Sequence, residues 1–182
     1  MSFKLLQENN GTMLLDMQVF HDERGFFSET YKKSDFQEIG INADFVQDNH
    51  SFSKKGVIRA LHYQLPPFAQ GKLVQVLSGE IIDIAVDLRR SSAAFKQYTA
   101  VKLSGENHHL FYIPPGFGHG FITLSDNVHL LYKCTAEYNK EYERGIRYDD
   151  PTLNLPWECN CMPILSEKDK KLPFLSDAEI FE

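Results

Sequence analysis

The feature that most constrains the fold is a strict alternation of residue types in the stretch KLVQVLSGEIIDIAVDL (72–88). Before the turn signal SGE, Lys72, Val74 and Val76 form one side of this alternation. After the turn signal, one side is aliphatic and the other carries Asp83 and Asp87. A period of two places successive side chains on opposite faces of a β-strand. The stretch therefore predicts two strands joined by a turn.

The same pattern recurs along most of residues 12–133. VKLSGENHHLFYI (101–113) and FITLSDNVHLLYKC (121–134) predict two further hairpins, which turn at SGEN and SDN. Many short strands with few helices favour a sandwich or a closed barrel, and thus a mainly β fold.

Two other parts of the chain complete the prediction. A short helix is expected in KSDFQEIG (33–40), with Ser34 as N-cap, Gln37 three residues later and Gly40 as the stop. Residues 139–182 are irregular and contain several prolines, so they are expected to wrap the barrel as ordered coil. The 182 residues fit one domain better than two.

Composition excludes several classes of function. A net charge of −6 argues against nucleic-acid binding, which rests on clustered cations, but permits a small anionic ligand. No apolar run approaches the ~18 residues of a membrane span, and the N-terminus lacks the apolar core of a signal peptide. Cys134, Cys159 and Cys161 are odd in number and lack the spacing of a disulfide framework or a metal cluster. These features predict a cytoplasmic protein with reduced thiols and no membrane association.

The stretch GVIRALHYQ (56–64) has the apolar character of a strand but contains Arg59 and His62. These two residues have opposite parity, so a flat strand would direct them to opposite faces. Either a β-bulge brings both to one face, or Arg59 reaches round from the strand end.

Inward-facing histidines in a β-barrel first suggest a metal site. The spacing from Gly56 to His62 and the segment PPGFGH (114–119) resemble the two motifs of metal-binding cupins. Those motifs also need a histidine two residues after the first and a glutamate soon after, but this chain has Gln64 and then no such ligand. Lys72 nearby would also disfavour a divalent ion. The scaffold is therefore expected without the metal.

Seven motifs in order carry a closer resemblance. FHDERGFFSE (20–29), FVQDNHSFSKKGVIRALHYQ (45–64), QGKLVQVLSGEIIDIAVDLR (70–89), IPPGFGHGF (113–121), YKCTAEY (132–138), YDDPTLNLPW (148–157) and LSEKD (165–169) resemble the dTDP-4-dehydrorhamnose 3,5-epimerase family. The resemblance implies a cupin-type double-stranded jelly-roll barrel with no metal or cofactor, and usually a homodimer. It also implies a nucleotide-linked 4-keto-6-deoxy sugar as substrate, with inversion at C3 and, in many members, at C5.

Inversion next to a ketone needs a base on one face, an acid on the other and a group that stabilises the enolate oxygen. By resemblance, His62 is the base, because an imidazole takes up and releases protons near neutral pH. Asp169 is its partner, Tyr132 the proton donor and Lys72 the cation near the C4 oxygen. Asp83 is expected to support Lys72 or His62.

The resemblance also implies a set of substrate contacts. Arg24 and Arg59 suit the diphosphate, because a guanidinium matches phosphate oxygens. Tyr138 is expected to stack on the base, and Phe26 and Phe27 to line the pocket. The remaining contacts are assigned to Glu29, Gln47, Asn49, His119, Glu143 and Lys168.

Two departures bear on the substrate. Ala60 stands where most members have glycine, which places a methyl group beside the strand of His62 and raises the question of how the sugar fits. Asn139 stands where many dTDP-specific members carry a second aromatic residue. A GDP-linked sugar, a heptose and inversion at C3 alone therefore remain open. A 3,4-ketoisomerase, a non-catalytic sugar-nucleotide-binding barrel and a metal-dependent cupin oxygenase are the competing functions.

Overall fold

Two antiparallel β-sheets face each other in the computed structural model, which describes residues 2–157 and 162–182. Strands are numbered in chain order. The larger sheet has the order β1-β2-β10-β7-β12-β5. Its strands are β1 (Phe3–Asn9), β2 (Thr12–Met17), β5 (Gln47–Ser53), β7 (Lys72–Ser78), β10 (His109–Ile113) and β12 (Val128–Cys134).

The second sheet has the order β13-β6-β11-β8-β9. Its strands are β6 (Ile58–Gln64), β8 (Glu80–Asp87), β9 (Tyr98–Ser104), β11 (Phe117–Thr123) and β13 (Glu143–Gly145). A separate two-stranded hairpin consists of β3 (Val19–Asp22) and β4 (Gly25–Ser28), and a six-residue helix α1 covers Lys33–Glu38. A single 3₁₀ turn covers Asp169–Lys171. The predicted mainly β jelly roll with few short helices is confirmed.

The predicted alternation sorts side chains between the inside and the outside of the barrel. Val74 and Val76 of β7 pack between the sheets against Ile81 and Ala85 of β8. The alternate residues of β8, such as Ile84 and Val86, lie on the outer face in a second cluster. Both faces of β8 are therefore buried, which places Asp83 and Asp87 in the interior with no exposed surface.

The three predicted hairpins are wrong as pairings, although their turns lie where the sequence placed them. β7 and β8 lie in different sheets, and so do β9 and β10, and β11 and β12. At each turn the chain crosses from one sheet to the other instead of folding back on its neighbour. Turn residues reverse the chain direction, but they do not determine which strand becomes the hydrogen-bonded partner.

Each outer sheet face is covered by a different part of the chain. Ile146, Leu153, Leu175 and Ile180 from the C-terminal region pack on the second sheet. Phe36 of α1 packs in a separate apolar cluster on the larger sheet, together with Leu73 and Leu110. The C-terminal layer brings the 3₁₀ turn at Asp169 to the edge of the second sheet, next to β6.

Helix α1 starts two residues earlier than the predicted N-cap requires. Lys32 has the extended backbone of the N-cap and Ser34 lies inside the helix, so the assignment of Ser34 as N-cap is wrong. Asp35 lies in the first turn, where its negative charge interacts favourably with the positive end of the helix dipole and stabilises the helix. The predicted stop is confirmed, because Gly40 has a φ of +93° and its N–H donates to the Gln37 carbonyl.

A β-bulge in β6 answers the question about the parity of Arg59 and His62. His119 of β11 pairs with His62, but Phe121 pairs with Arg59, so two residues of β6 oppose Gly120 alone. This extra residue changes the parity and directs Arg59 and His62 to the same cavity.

We predict that Gly120→Ala destabilises the protein by about 1–3 kcal/mol, because overpacking costs this much in a closely packed interior. A methyl group at residue 120 would lie 2.6 Å from Ala60 Cβ and 2.8 Å from the Arg59 carbonyl oxygen. Chemical denaturation measures the change. Adding Ala60→Gly should restore part of the loss, and an identical loss in the single and double variants would contradict this origin.

Two sequence predictions concern thiols and membranes. Cys134 is a buried free thiol, whereas Cys159 and Cys161 lie outside the described residues. Within the described ranges, no helix is long and apolar enough to cross a membrane.

Candidate active site

A cavity of about 340 Å³ lies between the two sheets, and eleven of the sixteen site residues expected from the sequence line it. It contains all four expected catalytic residues, His62, Lys72, Tyr132 and Asp169. It also contains seven of the expected substrate contacts, namely Gln47, Asn49, Arg59, His119, Tyr138, Glu143 and Lys168.

His62 and Asp169 form a pair at one wall of the cavity. His62 Nε2 lies 2.9 Å from Asp169 Oδ1, and the Asp169 backbone N–H donates to Ser166 Oγ. Burial is the largest single influence on Asp169 and raises its pKa, but the hydrogen bond and charge of His62, together with Ser166 and Lys168, lower the pKa below the ordinary carboxyl value. Among the described residues, His62 Nδ1 has no hydrogen-bond partner. The pair therefore leaves one ring nitrogen available to accept a proton.

Lys72 is a buried cation on β7. Its ammonium donates to the His62 carbonyl oxygen at 3.4 Å and lies 6.0 Å from the centre of the Tyr132 ring. No described carboxylate lies within ion-pair distance of Lys72. Burial lowers the pKa of Lys72, because a low-dielectric surrounding disfavours the charged form. An anionic group that develops in the cavity would relieve this cost.

Tyr132 lies on β12, so it projects from the sheet that faces the sheet of His62. Burial raises the pKa of Tyr132, which keeps the phenol protonated near neutral pH. A protonated phenol and an imidazole whose Nδ1 has no described hydrogen-bond partner thus line opposite walls of one cavity.

Asp83 hydrogen-bonds His119 instead of Lys72 or His62, but its charge raises the pKa of Lys72 against the lowering effect of burial, so it supports Lys72 through its charge alone. Asp83 Oδ1 lies 2.5 Å from His119 Nε2, and Asp83 does not contact Lys72 or His62 directly. Burial lowers the pKa of His119, and the Asp83 charge opposes this shift without reversing it. The His119 ring is therefore neutral near pH 7, with Nε2–H donating to Asp83.

The rim of the cavity carries most of its exposed charge. Arg59 donates to Ser53 Oγ and to the Phe52 carbonyl oxygen, each at 3.3 Å. Glu143 accepts hydrogen bonds from Lys168 at 2.5 Å and from the Tyr138 hydroxyl at 2.8 Å. Partial burial is the largest single influence on Glu143 and raises its pKa, but these two hydrogen bonds, together with the charges of Lys168 and His62, lower the pKa below its ordinary value.

The chemistry of the cavity does not suit a metal ion. No group of three potential ligands from His, Cys, Asp and Glu occurs within residues 2–157 and 162–182. Gln64, at the position where a metal cupin needs its second histidine, has both ends of its side-chain amide in hydrogen bonds with the backbone.

The fold and the cavity agree with one family of proteins. A family model described as dTDP-4-dehydrorhamnose 3,5-epimerase matches residues 7–177. The chain belongs to the dTDP-4-dehydrorhamnose 3,5-epimerase family.

Individual relatives cover nearly the whole chain. The chain is 45% identical to the dTDP-4-dehydrorhamnose 3,5-epimerase of Methanothermobacter thermautotrophicus over 174 aligned residues. The aligned region covers 94% of each protein. The crystal structure of the Sulfolobus tokodaii enzyme is 42% identical, with a TM-score of 0.93 and complete coverage of both chains. The dTDP-6-deoxy-D-glucose 3,5-epimerase of Legionella pneumophila, solved with dTDP-4-keto-L-rhamnose, is 43% identical, with a TM-score of 0.92 and coverage of 96% and 94%.

These similarities confirm the cupin-type fold and the assignment to the isomerases. Three residues that the family resemblance assigns to the substrate site lie elsewhere in this chain. Arg24, Phe27 and Glu29 are not among the described residues that line this chain's cavity. Arg24 and Phe27 lie on the exposed β3–β4 hairpin, where Arg24 pairs with Asp22, and Glu29 follows it and accepts a hydrogen bond from Ser2. Phe26, also expected in the pocket, is exposed on the same hairpin.

The two departures from the epimerase pattern both have structural explanations. Ala60 is fully buried in the outer cluster and contacts Gly120, so its methyl group does not line the cavity. Asn139 Oδ1 accepts the Glu141 backbone N–H at 3.0 Å and caps the turn that precedes β13. Neither side chain reaches into the described cavity.

Six residues that line the cavity were not predicted as site residues from the sequence: Ser51, Tyr63, Gln64, Gln70, Phe121 and Ser166. Strand periodicity could have indicated Ser51, which follows Gln47 and Asn49 at alternate positions of β5, and Phe121, which follows His119 on β11. Gln70 and Ser166 lie in irregular segments, where no periodic signal exists.

Proposed function

We propose that this protein is an epimerase that inverts C3 and C5 of a dTDP-linked 4-keto-6-deoxyhexose. The observation that carries the proposal is the placement of His62 and Tyr132 on opposite walls of one cavity that the buried Lys72 also lines. Inversion requires proton removal on one face and proton return on the other, and this arrangement supplies both groups.

The reaction begins with the unpartnered Nδ1 of His62, which removes the proton from C3 beside the C4 ketone. Asp169 stabilises the resulting imidazolium through Nε2. The negative charge moves to the C4 oxygen, where the Lys72 ammonium stabilises the enolate. Tyr132 then donates its hydroxyl proton to C3 from the opposite face, and the C4 ketone reforms. Once the His62 imidazolium has released its proton to solvent and the Tyr132 phenolate has regained one, the same two groups invert C5.

The nucleotide is bound by the rim. Arg59 and Lys168 are the cations available to the diphosphate, and the Tyr138 ring offers a flat apolar face to the base. A thymine nucleotide is proposed because the similar Legionella pneumophila enzyme was solved with dTDP-4-keto-L-rhamnose.

Proton exchange in D2O tests the proposal. Incubation with a dTDP-linked 4-keto-6-deoxyglucose should place deuterium at both C3 and C5, as read by NMR. Exchange at C3 alone would restrict the activity to one centre, and a carbonyl moved to C3 would identify a ketoisomerase. A parallel panel of GDP-linked hexoses and heptoses tests the nucleotide and the sugar, and binding without exchange would leave only a binding protein.

We further propose that the active species is a homodimer in which the β3–β4 hairpin of one protomer reaches the cavity mouth of its partner. Two observations support it. The hairpin exposes Phe26 and Phe27 with 60% and 65% of their surfaces accessible, and Arg24 is similarly exposed. The family resemblance assigns substrate contacts to Arg24 and Phe27, which do not line the cavity of their own chain as described.

Mixing two inactive variants tests this arrangement. We predict that His62→Ala and the double variant Arg24→Met/Phe27→Ala are each inactive. After joint refolding, random pairing should restore about a quarter of the wild-type sites, because half of the dimers are mixed and each holds one intact site. The absence of any recovery in a verified mixed dimer would show that the hairpin does not serve the partner's site.

Two broader assignments remain proposals. Residues 1–182 are proposed to act as one domain, because the described part of 139–182 supplies Glu143, Lys168 and Asp169 to the cavity. The cytoplasm remains the predicted location, on the basis of the cysteine pattern.

A further inference from the structure

Residues 135–139 form an irregular segment between β12 and β13 that carries Tyr138 at the cavity mouth. The segment has no helix or strand hydrogen bonding of its own over residues 136–139. The Tyr138 side chain nevertheless points its hydroxyl at Glu143, with 54% of the residue exposed. The backbone therefore needs another source of order.

Three glutamine side chains supply that order, and we call Gln47, Gln64 and Gln70 the glutamine clamp. Gln70 Nε2 donates to the Ala136 carbonyl oxygen at 2.8 Å. Gln64 Nε2 donates to the Glu137 carbonyl oxygen at 3.2 Å.

The other two contacts of the clamp hold backbone N–H groups. The Tyr138 N–H donates to Gln47 Oε1 at 2.8 Å, and the Asn139 N–H donates to Gln64 Oε1 at 2.7 Å. Four consecutive residues are thus each held by a glutamine side chain.

Gln64 is the central member. Its amide nitrogen also donates to the Phe68 carbonyl oxygen at 2.7 Å, so both amide protons and the oxygen are used. Gln64 is only 2% exposed, so these protein partners satisfy its amide in a nearly buried position. A buried amide left without these partners would cost about 1–3 kcal/mol, so the arrangement strongly favours one position of the segment.

Gln47 connects the clamp to the larger sheet. Its Nε2 donates to Asn49 Oδ1 at 2.9 Å, so both ends of its amide are engaged within the protein. Gln47 lies on β5, Gln64 on β6 and Gln70 just before β7, so the clamp joins both sheets.

From this geometry we propose that the glutamine clamp is a set of positioning residues that fixes Tyr138 as the aromatic wall for the nucleotide base. The proposal rests on the nucleotide-sugar function argued above. Gln64 acts through the backbone of residues 137–139, and its amide occupies the place of a metal ligand in related barrels. Stacking of a base on an aromatic ring contributes about 1–3 kcal/mol, or about 5- to 150-fold in affinity.

Hydrogen exchange of backbone amides tests the clamp without any assumption about the reaction. In the wild-type protein, the amides of Tyr138 and Asn139 should exchange slowly although they lie outside strands and helices. Gln64→Met should speed exchange at Asn139 by at least about tenfold. The matched control is Gln75→Met, a buried glutamine of β7 that does not contact the segment. Unchanged exchange at Asn139 in a folded Gln64→Met variant would overturn the proposal.

A second pair of variants keeps the test valid if Gln64→Met does not fold. Gln47→Met should release the Tyr138 amide, whereas Gln47→Glu keeps an acceptor oxygen and should preserve its slow exchange. Equal exchange rates in these two variants would contradict the clamp.

Nucleotide affinity then separates a positioning role from a merely structural one. Gln64→Met should raise the Kd for dTDP by about 5- to 100-fold and the KM similarly, while kcat changes by less than about threefold. In a Tyr138→Ala background, the same change should add less than about twofold, because both substitutions remove one interaction. Fully additive losses would overturn the positioning role.

The outcomes also distinguish this proposal from the proposed function. Wild-type protein that does not bind dTDP would overturn the role of Tyr138 and the clamp proposal with it. Wild-type protein that binds dTDP without exchanging sugar protons would overturn only the proposed reaction.

Discussion

His62→Ala is expected to lower kcat/KM for the nucleotide-linked keto sugar by about 10²–10⁴-fold, the usual contribution of a positioned general base. His62 Nδ1 is the unpartnered nitrogen of the pair with Asp169, whereas the other histidine of the cavity, His119, hydrogen-bonds the buried Asp83. The loss should fall on kcat, with the Kd for dTDP changed by less than about threefold, because the base contacts the sugar and not the nucleotide.

The matched control for this variant is His50→Ala. His50 is an exposed histidine on β5 that contacts His129 on the outer face of the larger sheet, away from the cavity. It should retain the wild-type rate of deuterium incorporation. If His62→Ala incorporates deuterium at C3 as quickly as this control, then another group is the base.

Lys72→Met is expected to have opposite effects on activity and stability. Loss of the cation beside the enolate oxygen should lower kcat by about 10²–10³-fold, as for other donors that stabilise an oxyanion. The same change removes a buried ammonium that no described carboxylate pairs with, so the free energy of unfolding should rise by about 1–4 kcal/mol. Steady-state kinetics and urea denaturation measure the two effects.

The control for Lys72→Met is Lys133→Met on the neighbouring strand β12. Lys133 forms an exposed ion pair with Asp48 at 3.0 Å, and such pairs contribute about 0–1 kcal/mol. It should change neither kcat nor stability greatly. A Lys72→Met protein that is both less active and less stable would contradict the prediction. It would show that Lys72 stabilises the fold, and that burial of its charge carries no net cost in stability.

The stability difference should also depend on pH. Because burial lowers the pKa of Lys72 below the unfolded value of 10.5, the unfolded chain binds more protons between these two values. The stability of the wild-type protein relative to Lys72→Met therefore rises with pH across that window. Below the folded pKa the full cost of burying the charge remains, and the advantage of the variant should be greatest there.

The chemistry of the site was predictable from sequence because it depends on residue types in a fixed order. His62, Lys72, Tyr132 and Asp169 lie in motifs whose order resembles one family, and the structure brings all four to one cavity. The strands were predictable for a similar reason, since a period of two reports burial on each face. What periodicity could not give is pairing, which depends on contacts between distant positions, so the turns near Gly79 and Gly105 were misread as hairpins.

Other errors have equally physical causes. The sequence left open whether a β-bulge or the strand end directs Arg59 towards His62, and the structure shows the bulge. This bulge beside Ala60 depends on the absence of a side chain at Gly120, which is more than fifty residues away in the chain. Asp83 acts on Lys72 through its charge, as expected, but its hydrogen bond to His119 was not predicted, because strand parity gives only a face and the distance to His119 depends on the neighbouring strand β11. The expected Arg24, Phe27 and Glu29 do not line the described cavity of their own chain, so their role stays a prediction.

The three turns that cross between the sheets also bear on how the chain folds. Most strands of the two sheets pair with strands far along the sequence, and β7, β9 and β11 each lack pairing with the strand that follows. Long loops must therefore close before these strands gain their hydrogen bonds, which places such barrels among the slower folders, at about milliseconds to seconds. His119 and Tyr132 lie on opposite walls of the cavity because the chain crosses from one sheet to the other between β11 and β12. Both sheets must therefore form before the cavity is complete. Catalytic competence should consequently emerge in one late, cooperative step of folding.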